Sequence, residues 1–238
     1  MSGTETGGTA STTRTVRVEI WSDVVCPWCY IGKRRLERAL EEFEHADEVE
    51  ITWRSFQLDP SFPKGVRQPV PEMLARKTGG SPEQVRAMNA RVTELAAAEG
   101  LAYDLERSVM VNTVDAHRLT HLAKERGLGG QAHERLLRAQ LVEARTLDDP
   151  DTLVRLGVEI GLDEEEVRGV VTGDAYAREV EADLRAAREL GVTGVPFSVL
   201  NRAFAISGAQ PVETFLTGLR KAREHALAAS AGRGAADR

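Results

Sequence analysis

The chain has 238 residues, 42% of them apolar and 29% charged, with a formal net charge of −6, a composition that suits one large or two small globular domains. The acidic balance excludes a general nucleic-acid binder, which needs clustered excess cation to neutralise phosphates. No run of about 18 apolar residues occurs, so no transmembrane helix is expected, and two cysteines in a long chain make no structural disulfide framework.

Residues 1–14 are rich in Gly, Ser and Thr and carry no apolar leader core, so they are predicted to be a disordered tail and the protein is expected to be cytoplasmic. "TVRVEIWSDVV" alternates and then turns apolar, which predicts a buried strand. After Cys26 and Cys29, the residues Ile31, Leu36, Leu40 and Phe43 recur at helical spacing, and Pro27 occupies the first helical position, where a missing N–H costs nothing. "EVEITWRSFQL" predicts a second strand, followed by a loop punctuated by Pro60, Pro63, Pro69 and Pro71.

From about Pro71 to Glu189 the pattern is helical. "SPEQ" at Ser81 is a capping box with Pro82 in its first turn. Asn112 is the expected cap of the helix that stops at Gly127. Further acidic starts and glycine ends, among them "DEEE" at Asp163, bring the expected total to five to seven helices. "GVPFSVLN" and "RAFAISG" then predict a hairpin about Asn201 and Arg202, and an amphipathic helix begins near Pro211. The expected fold is α/β, of order β-α-β … β-β-α. Residues 15–62 and 190–229 make one discontinuous domain, and 63–189 an all-helical insertion.

The two cysteines raise the question of purpose. A bond across four residues would stabilise little, because the benefit of a crosslink grows with the loop it closes. A structural zinc site needs four ligands. His117 and His121 share a helix face four residues apart, but "HRLTH" lacks the glutamate of a zinc-protease helix. Haem attachment needs a histidine after the second cysteine, where Tyr30 stands. With Cys26 as N-cap and Pro27 beginning the helix, the unpaired N–H groups of the first turn and the positive helix end favour negative sulfur at Cys26. Cys29, one turn on, is then placed to attack a mixed disulfide formed at Cys26. Cys-x-x-Cys between strand and helix of a β-α-β unit is a thioredoxin-like pattern. A second mark accompanies it in "GVTGVPFSV". Pro196 before the third strand is by itself an ordinary trans proline. Joined to the cysteine pair, it is expected to be cis and to bring the Val195 backbone beside Cys26, free to pair with an extended substrate.

"SDVVCPWCYIGKRRLE", "WRSFQLDP", "VNTVDAHRL", "GVTGVPFSV" and "SGAQPVETF", in that order, resemble the DsbA family of thioredoxin-fold oxidoreductases, and its FrnE-like branch in particular. The resemblance implies a thioredoxin fold interrupted by a helical domain. It also implies thiol–disulfide exchange with Cys26 as nucleophile, Cys29 as resolving thiol, Pro27 and Trp28 between them, and a cis Pro196. Ser198 departs from the second aromatic common in the family and is expected to widen the substrate pocket. His117 either faces the substrate groove or is a helical histidine bonded to backbone, and Asp23 either meets the site or makes a turn. Trp21 is expected in the core, Trp28 exposed, and Lys33, Arg34 and Arg35 on a solvated face.

The leading function is a cytosolic dithiol–disulfide oxidoreductase acting on protein or small-thiol substrates. No cofactor or metal is expected beyond the Cys26–Cys29 couple, with a low-molecular-weight thiol as candidate co-substrate. Nucleic acid and membrane are not expected as partners, and oligomeric state stays open. The alternatives are a glutathione-dependent isomerase of the 2-hydroxychromene-2-carboxylate type, whose family usually carries serine at the nucleophile position, and a non-catalytic polypeptide-binding chaperone.

Overall fold

The computed structural model describes residues 16–236, with side chains to residue 230. The predicted tail, 1–14, lies outside the described residues. Strand β1 (Val16–Ser22) leads through helix α1 (Pro27–Glu41) into β2 (Val49–Ser55). The intervening segment holds β3 (Gln68–Pro69), α2 (Val70–Thr78), α3 (Pro82–Ala98), β4 (Val109–Met110), α4 (Val114–Glu125), α5 (Gly129–Leu141), α6 (Pro150–Glu159), α7 (Glu164–Thr172) and α8 (Ala177–Glu189). Strands β5 (Phe197–Leu200) and β6 (Phe204–Ser207) and helix α9 (Val212–Ala236) close the chain.

The four-stranded sheet has the order β2-β1-β5-β6. β1 and β2 run parallel, with Val16 opposite Val49 and Ser22 opposite Ser55, as a helical crossover requires. β5 runs antiparallel to β1, with Ile20 opposite Ser198. The hairpin to β6 turns at Asn201 and Arg202, both with positive φ. Asn tolerates that conformation, and its side chain is used: Oδ1 accepts from the Arg17 N–H and Nδ2 donates to the Ala222 carbonyl.

Leu36 and Ala39 of α1, Phe43 just beyond its end, and Phe215, Leu219 and Ala222 of α9 pack on Val16, Val18, Ile20, Leu200 and Ile206 of the sheet. A second core, built on Leu119, Leu122, Leu136, Leu153, Leu156 and Val167, holds the insertion together. A third joins the two: Cys26, Cys29, Tyr30 and Ile31 pack with Val92, Leu101, Tyr103, Leu137 and Leu141. The cysteine motif thus lies in the seam between sheet and insertion. No helix among the described residues is long and apolar enough to cross a membrane.

The capping box at Ser81 forms in both directions, and Asp149 and Asp163 cap α6 and α7 through their carboxylates. Three local expectations are corrected. The insertion is not all helical, because β3 and β4 pair in an antiparallel ladder, Gln68 opposite Met110; strands of two residues are too short to show alternation. Pro71 lies in the first turn of α2 and not in a loop. Thr113, not Asn112, is the N-cap of α4. Asn112 stands one residue earlier, accepting from the Val114 N–H and donating to the Phe62 carbonyl, the local side-chain bonding typical of Asn at a turn.

Candidate active site

Cys26 is the N-cap of α1, with extended backbone (φ −88°, ψ 114°), and Pro27 follows in the first turn. A turn leads in, the Cys26 N–H donating to the Asp23 carbonyl at 3.0 Å, and the Cys29 N–H returns to the Cys26 carbonyl at 3.1 Å. Both cysteines are unbridged and buried. The Cys26 side chain makes no capping bond to the first-turn N–H groups. Its sulfur instead lies 3.5 Å from the Val195 carbonyl, as donor.

The Val195–Pro196 bond is cis. The Pro196 ring sits close on α1: a Cβ on Gly32 would stand 3.0 Å from its Cγ, so the ring would have to give by a few tenths of an ångström to admit one. The Val195 N–H has no partner among the described residues. Tyr103, from the loop after α3, crosses the seam to donate to the Pro27 carbonyl at 2.7 Å, its ring stacked on Tyr30 at 6.3 Å. Burial, and then the adjacent Cys26 sulfur, push the Cys29 thiol well above its ordinary value, against a smaller pull from the Ser22 hydroxyl and the Asp23 backbone. Cys29 is therefore held as a thiol behind Cys26. Burial first, and then electrostatic interaction with Cys26 and Cys29, push the Tyr103 phenol up as well.

Cys26, Pro27, Cys29, Val195 and Pro196 come together as one cluster, with Trp28 exposed beside them (40% accessible) and Trp21 in the core. Ser198 does not open a substrate pocket. It is buried within β5, lining a small cavity behind Cys29 with Lys33, Trp53 and Pro196. The sheet alternation turns it inward, since it stands opposite Ile20 and Ile206. His117 neither faces a groove nor bonds to backbone; it is buried with Nε2 3.3 Å from Asp23 Oδ1. Asp23 makes the turn through its carbonyl, and its carboxylate accepts from the Leu58 N–H through Oδ2. Lys33, Arg34 and Arg35 are not a solvated face. Lys33 is buried between Glu37 and Glu134, Arg34 shares those carboxylates, and Arg35 bonds Glu99 and the Ala209 carbonyl. The insertion covers this side of α1, and buried cations need such partners.

Residues 17–220 match the DSBA-like thioredoxin domain. The chain belongs to that family. As a DsbA-family chain it is similar to a structure of a probable DsbA oxidoreductase from Streptomyces coelicolor, with 50% identity, a TM-score of 0.85, and coverage of 87% of this chain and 89% of that one. It shares its fold with a 2-hydroxychromene-2-carboxylate isomerase at 14% identity and a TM-score of 0.66, covering 88% of this chain and 98% of that one. It also shares its fold with the cytosolic disulfide reductase DsbM from Pseudomonas aeruginosa, whose structure was solved with GSH, at 20% identity and a TM-score of 0.55, over 88% and 96% of the two chains.

Tyr103, Ser22 and His133 are the neighbours of the DsbA-family motif that sequence reasoning missed. For His133 a signal existed: it falls at helical spacing with Leu136, Leu137 and Gln140 on the buried face of α5. For Tyr103, in a loop, there was none.

Proposed function

We propose that this DsbA-family chain is a cytoplasmic dithiol–disulfide oxidoreductase of the FrnE-like branch, exchanging disulfides with protein or small-thiol substrates through Cys26 and Cys29. The observation that carries this reading is the meeting of both thiols at the N-terminus of α1 with the carbonyl of Val195. The Cys26 sulfur attacks a substrate disulfide, releasing one substrate thiol and forming a mixed disulfide. The Cys29 sulfur then attacks Cys26, closing the internal disulfide and releasing the second thiol, so the substrate is reduced and the pair oxidised. The reverse sequence oxidises a substrate dithiol. The unpartnered Val195 N–H offers a strand-like bond to an extended substrate segment. The chemistry resides in the sulfurs and calls for no bound cofactor; a low-molecular-weight thiol serves as co-substrate that resets the pair.

The likeness to the isomerase concerns the fold, whereas the exchange reading rests on a second thiol one turn behind the first. Equilibration in thiol redox buffers, followed by Trp fluorescence, tests it: a reversible two-electron transition is expected. Cys26→Ser abolishes exchange, and Cys29→Ser accumulates mixed disulfides. Absence of the transition in the unmodified protein overturns the reading, and isomerisation by Cys29→Ser protein with reduced thiol would favour the isomerase instead.

A further inference from the structure

A cavity of about 410 Å³ opens between α3 and the loop that follows it. Asn89, Thr93 and Glu94 of α3 form one side at helical spacing, and Tyr103, Asp104 and Glu106 the other. The cavity adjoins the cysteine motif. Tyr103 reaches out of its wall to donate to the Pro27 carbonyl at 2.7 Å, and Tyr103 packs in the cluster that holds both cysteines. The lining is acidic. Arg86, also on the wall, is matched to Glu83 at 3.1 Å, and Asp104 to Arg107 at 2.6 Å. Glu94 and Glu106, both exposed, have no hydrogen bond or ion pair among the described residues. Asn89 stands in the buried stripe of α3 with Val85 and Val92, where an apolar side chain would pack. It is 5% exposed, and its Nδ2 has no partner. A buried amide left unpaired costs stability, so its place on the cavity wall calls for an acceptor from outside the chain.

We propose that this cavity binds the stretch of a polypeptide substrate that flanks its reactive cysteine, and that it selects stretches carrying lysine or arginine. The proposal rests on the exchange reading above and names the substrate class of that reaction. A backbone carbonyl of the bound stretch accepts from Asn89 Nδ2 and satisfies the amide, while a basic side chain lies between Glu94 and Glu106. A carbonyl beside a cation is what a basic peptide offers. A disulfide flanked by carboxylates would meet like charge at the same place, which is how such a site rejects the wrong partner. The volume falls within the usual range for a binding pocket, about 300–1,000 Å³. Tyr103 spans from the cavity wall to the motif, and an extended chain covers the length of one tyrosine side chain in about two residues. The occupant therefore lies a few positions from the cysteine held at Cys26. Because both free carboxylates are exposed, they act on selection and encounter rate, and salt screens them.

The test uses the reduced full chain and two cysteine peptides alike except for their flanks, Lys-Gly-Cys-Gly-Lys and Glu-Gly-Cys-Gly-Glu, each presented as its mixed disulfide with thionitrobenzoate. Attack by the Cys26 thiolate on the peptide sulfur forms the Cys26–peptide disulfide and releases the coloured thionitrobenzoate thiolate. The lysine peptide is expected to react about tenfold faster at low salt, the worth of two exposed ion pairs. The gap should close at about 1 M salt, where charges are screened beyond about 3 Å. Glu94→Gln with Glu106→Gln is expected to bring the two rates within about twofold of each other. Glu165→Gln with Glu213→Gln, which changes the net charge by the same amount at exposed sites on α7 and α9, keeps the gap. Equal rates for the two peptides in the wild type, a gap that survives in the Glu94/Glu106 variant, or one that vanishes in the Glu165/Glu213 variant would overturn the proposal. Asn89→Leu is expected to slow both peptides about fivefold, the effect of one neutral hydrogen bond, with no fall in the urea midpoint because an orphan amide is removed. Undiminished peptide rates in that variant would overturn the carbonyl contact. Wild-type protein that fails to react with the neutral disulfide of 2-mercaptoethanol defeats the exchange reading itself, whereas exchange indifferent to flanking charge defeats this inference alone.

Discussion

Asp183 is the junction by which α8 holds the sheet. Its carboxylate is buried; Oδ2 accepts from the Ser55 N–H at 2.9 Å and lies 3.2 Å from His121 Nε2, while Oδ1 accepts from Arg54 at 3.0 Å. Asp183→Ala removes all three. The Ser55 N–H, buried at the end of β2, loses its acceptor at a cost of about 1–3 kcal/mol. Breaking a fully buried ion pair costs about 3–5 kcal/mol, but Arg54 is 29% exposed and keeps Glu19, so its share is screened toward zero. His121 retains the Ser55 hydroxyl at 3.1 Å. The expected loss is about 3 kcal/mol at pH 7, at the low end of the buried-pair range. Urea unfolding measures it as a lower midpoint at unchanged slope. The pH dependence adds a second check. Burial opposes the charged carboxylate, but His121, the Ser55 N–H and Arg54 outweigh it and hold the group below its ordinary value. A depressed carboxyl contributes stability above the unfolded value, near ~3.9, and loses it as pH falls through the folded one. The wild type and the variant should therefore converge in acid. A loss under about 1 kcal/mol at pH 7, or a gap that persists below the folded titration, would refute this reasoning.

Two further outcomes are expected. Gly157→Ala adds a methyl 2.7 Å from Val167 Cγ2, where α6 crosses α7; overpacking of about 1–3 kcal/mol outweighs a helix gain of about 1 kcal/mol, so thermal unfolding should move down, and a rise would show that α7 yields freely. Because Cys29 is raised on folding, the dithiol protein should hold its stability below the ordinary thiol value and lose it above, by up to about 1.4 kcal/mol per pH unit; denaturant titrations of Cys29→Ala across the same alkaline range should lack that slope, and an equal slope in both proteins would contradict the burial account.

Local signals were legible wherever a residue's partner lies within a turn or two. The extended Cys26 before Pro27, the reciprocal bonds of Ser81 and Gln84, and the left-handed Asn201–Arg202 corner all follow from neighbours a few positions away. The two-residue strands at Gln68 and Val109 escaped notice because no period can be read in so short a run. Lys33, Arg34 and Arg35 were misread for another reason: their polar pattern is that of a solvated helix face, and only the carboxylates of Glu134 and Glu99, brought from α5 and the end of α3, show that the face is covered.

By itself the sequence determined that a strand delivers two thiols to a helix entrance and that a proline opens a later strand, because these depend on backbone propensity and capping over short range. Tertiary structure alone decided what surrounds them. Tyr103 reaches Pro27 across 76 positions, His133 reaches Ser22 across 111, and Asp183 reaches Ser55 across 128. Such bonds form because packing the insertion, with α5 and α8 against β2, leaves each buried polar group to find a partner within the seam, and no local pattern names which partner it finds.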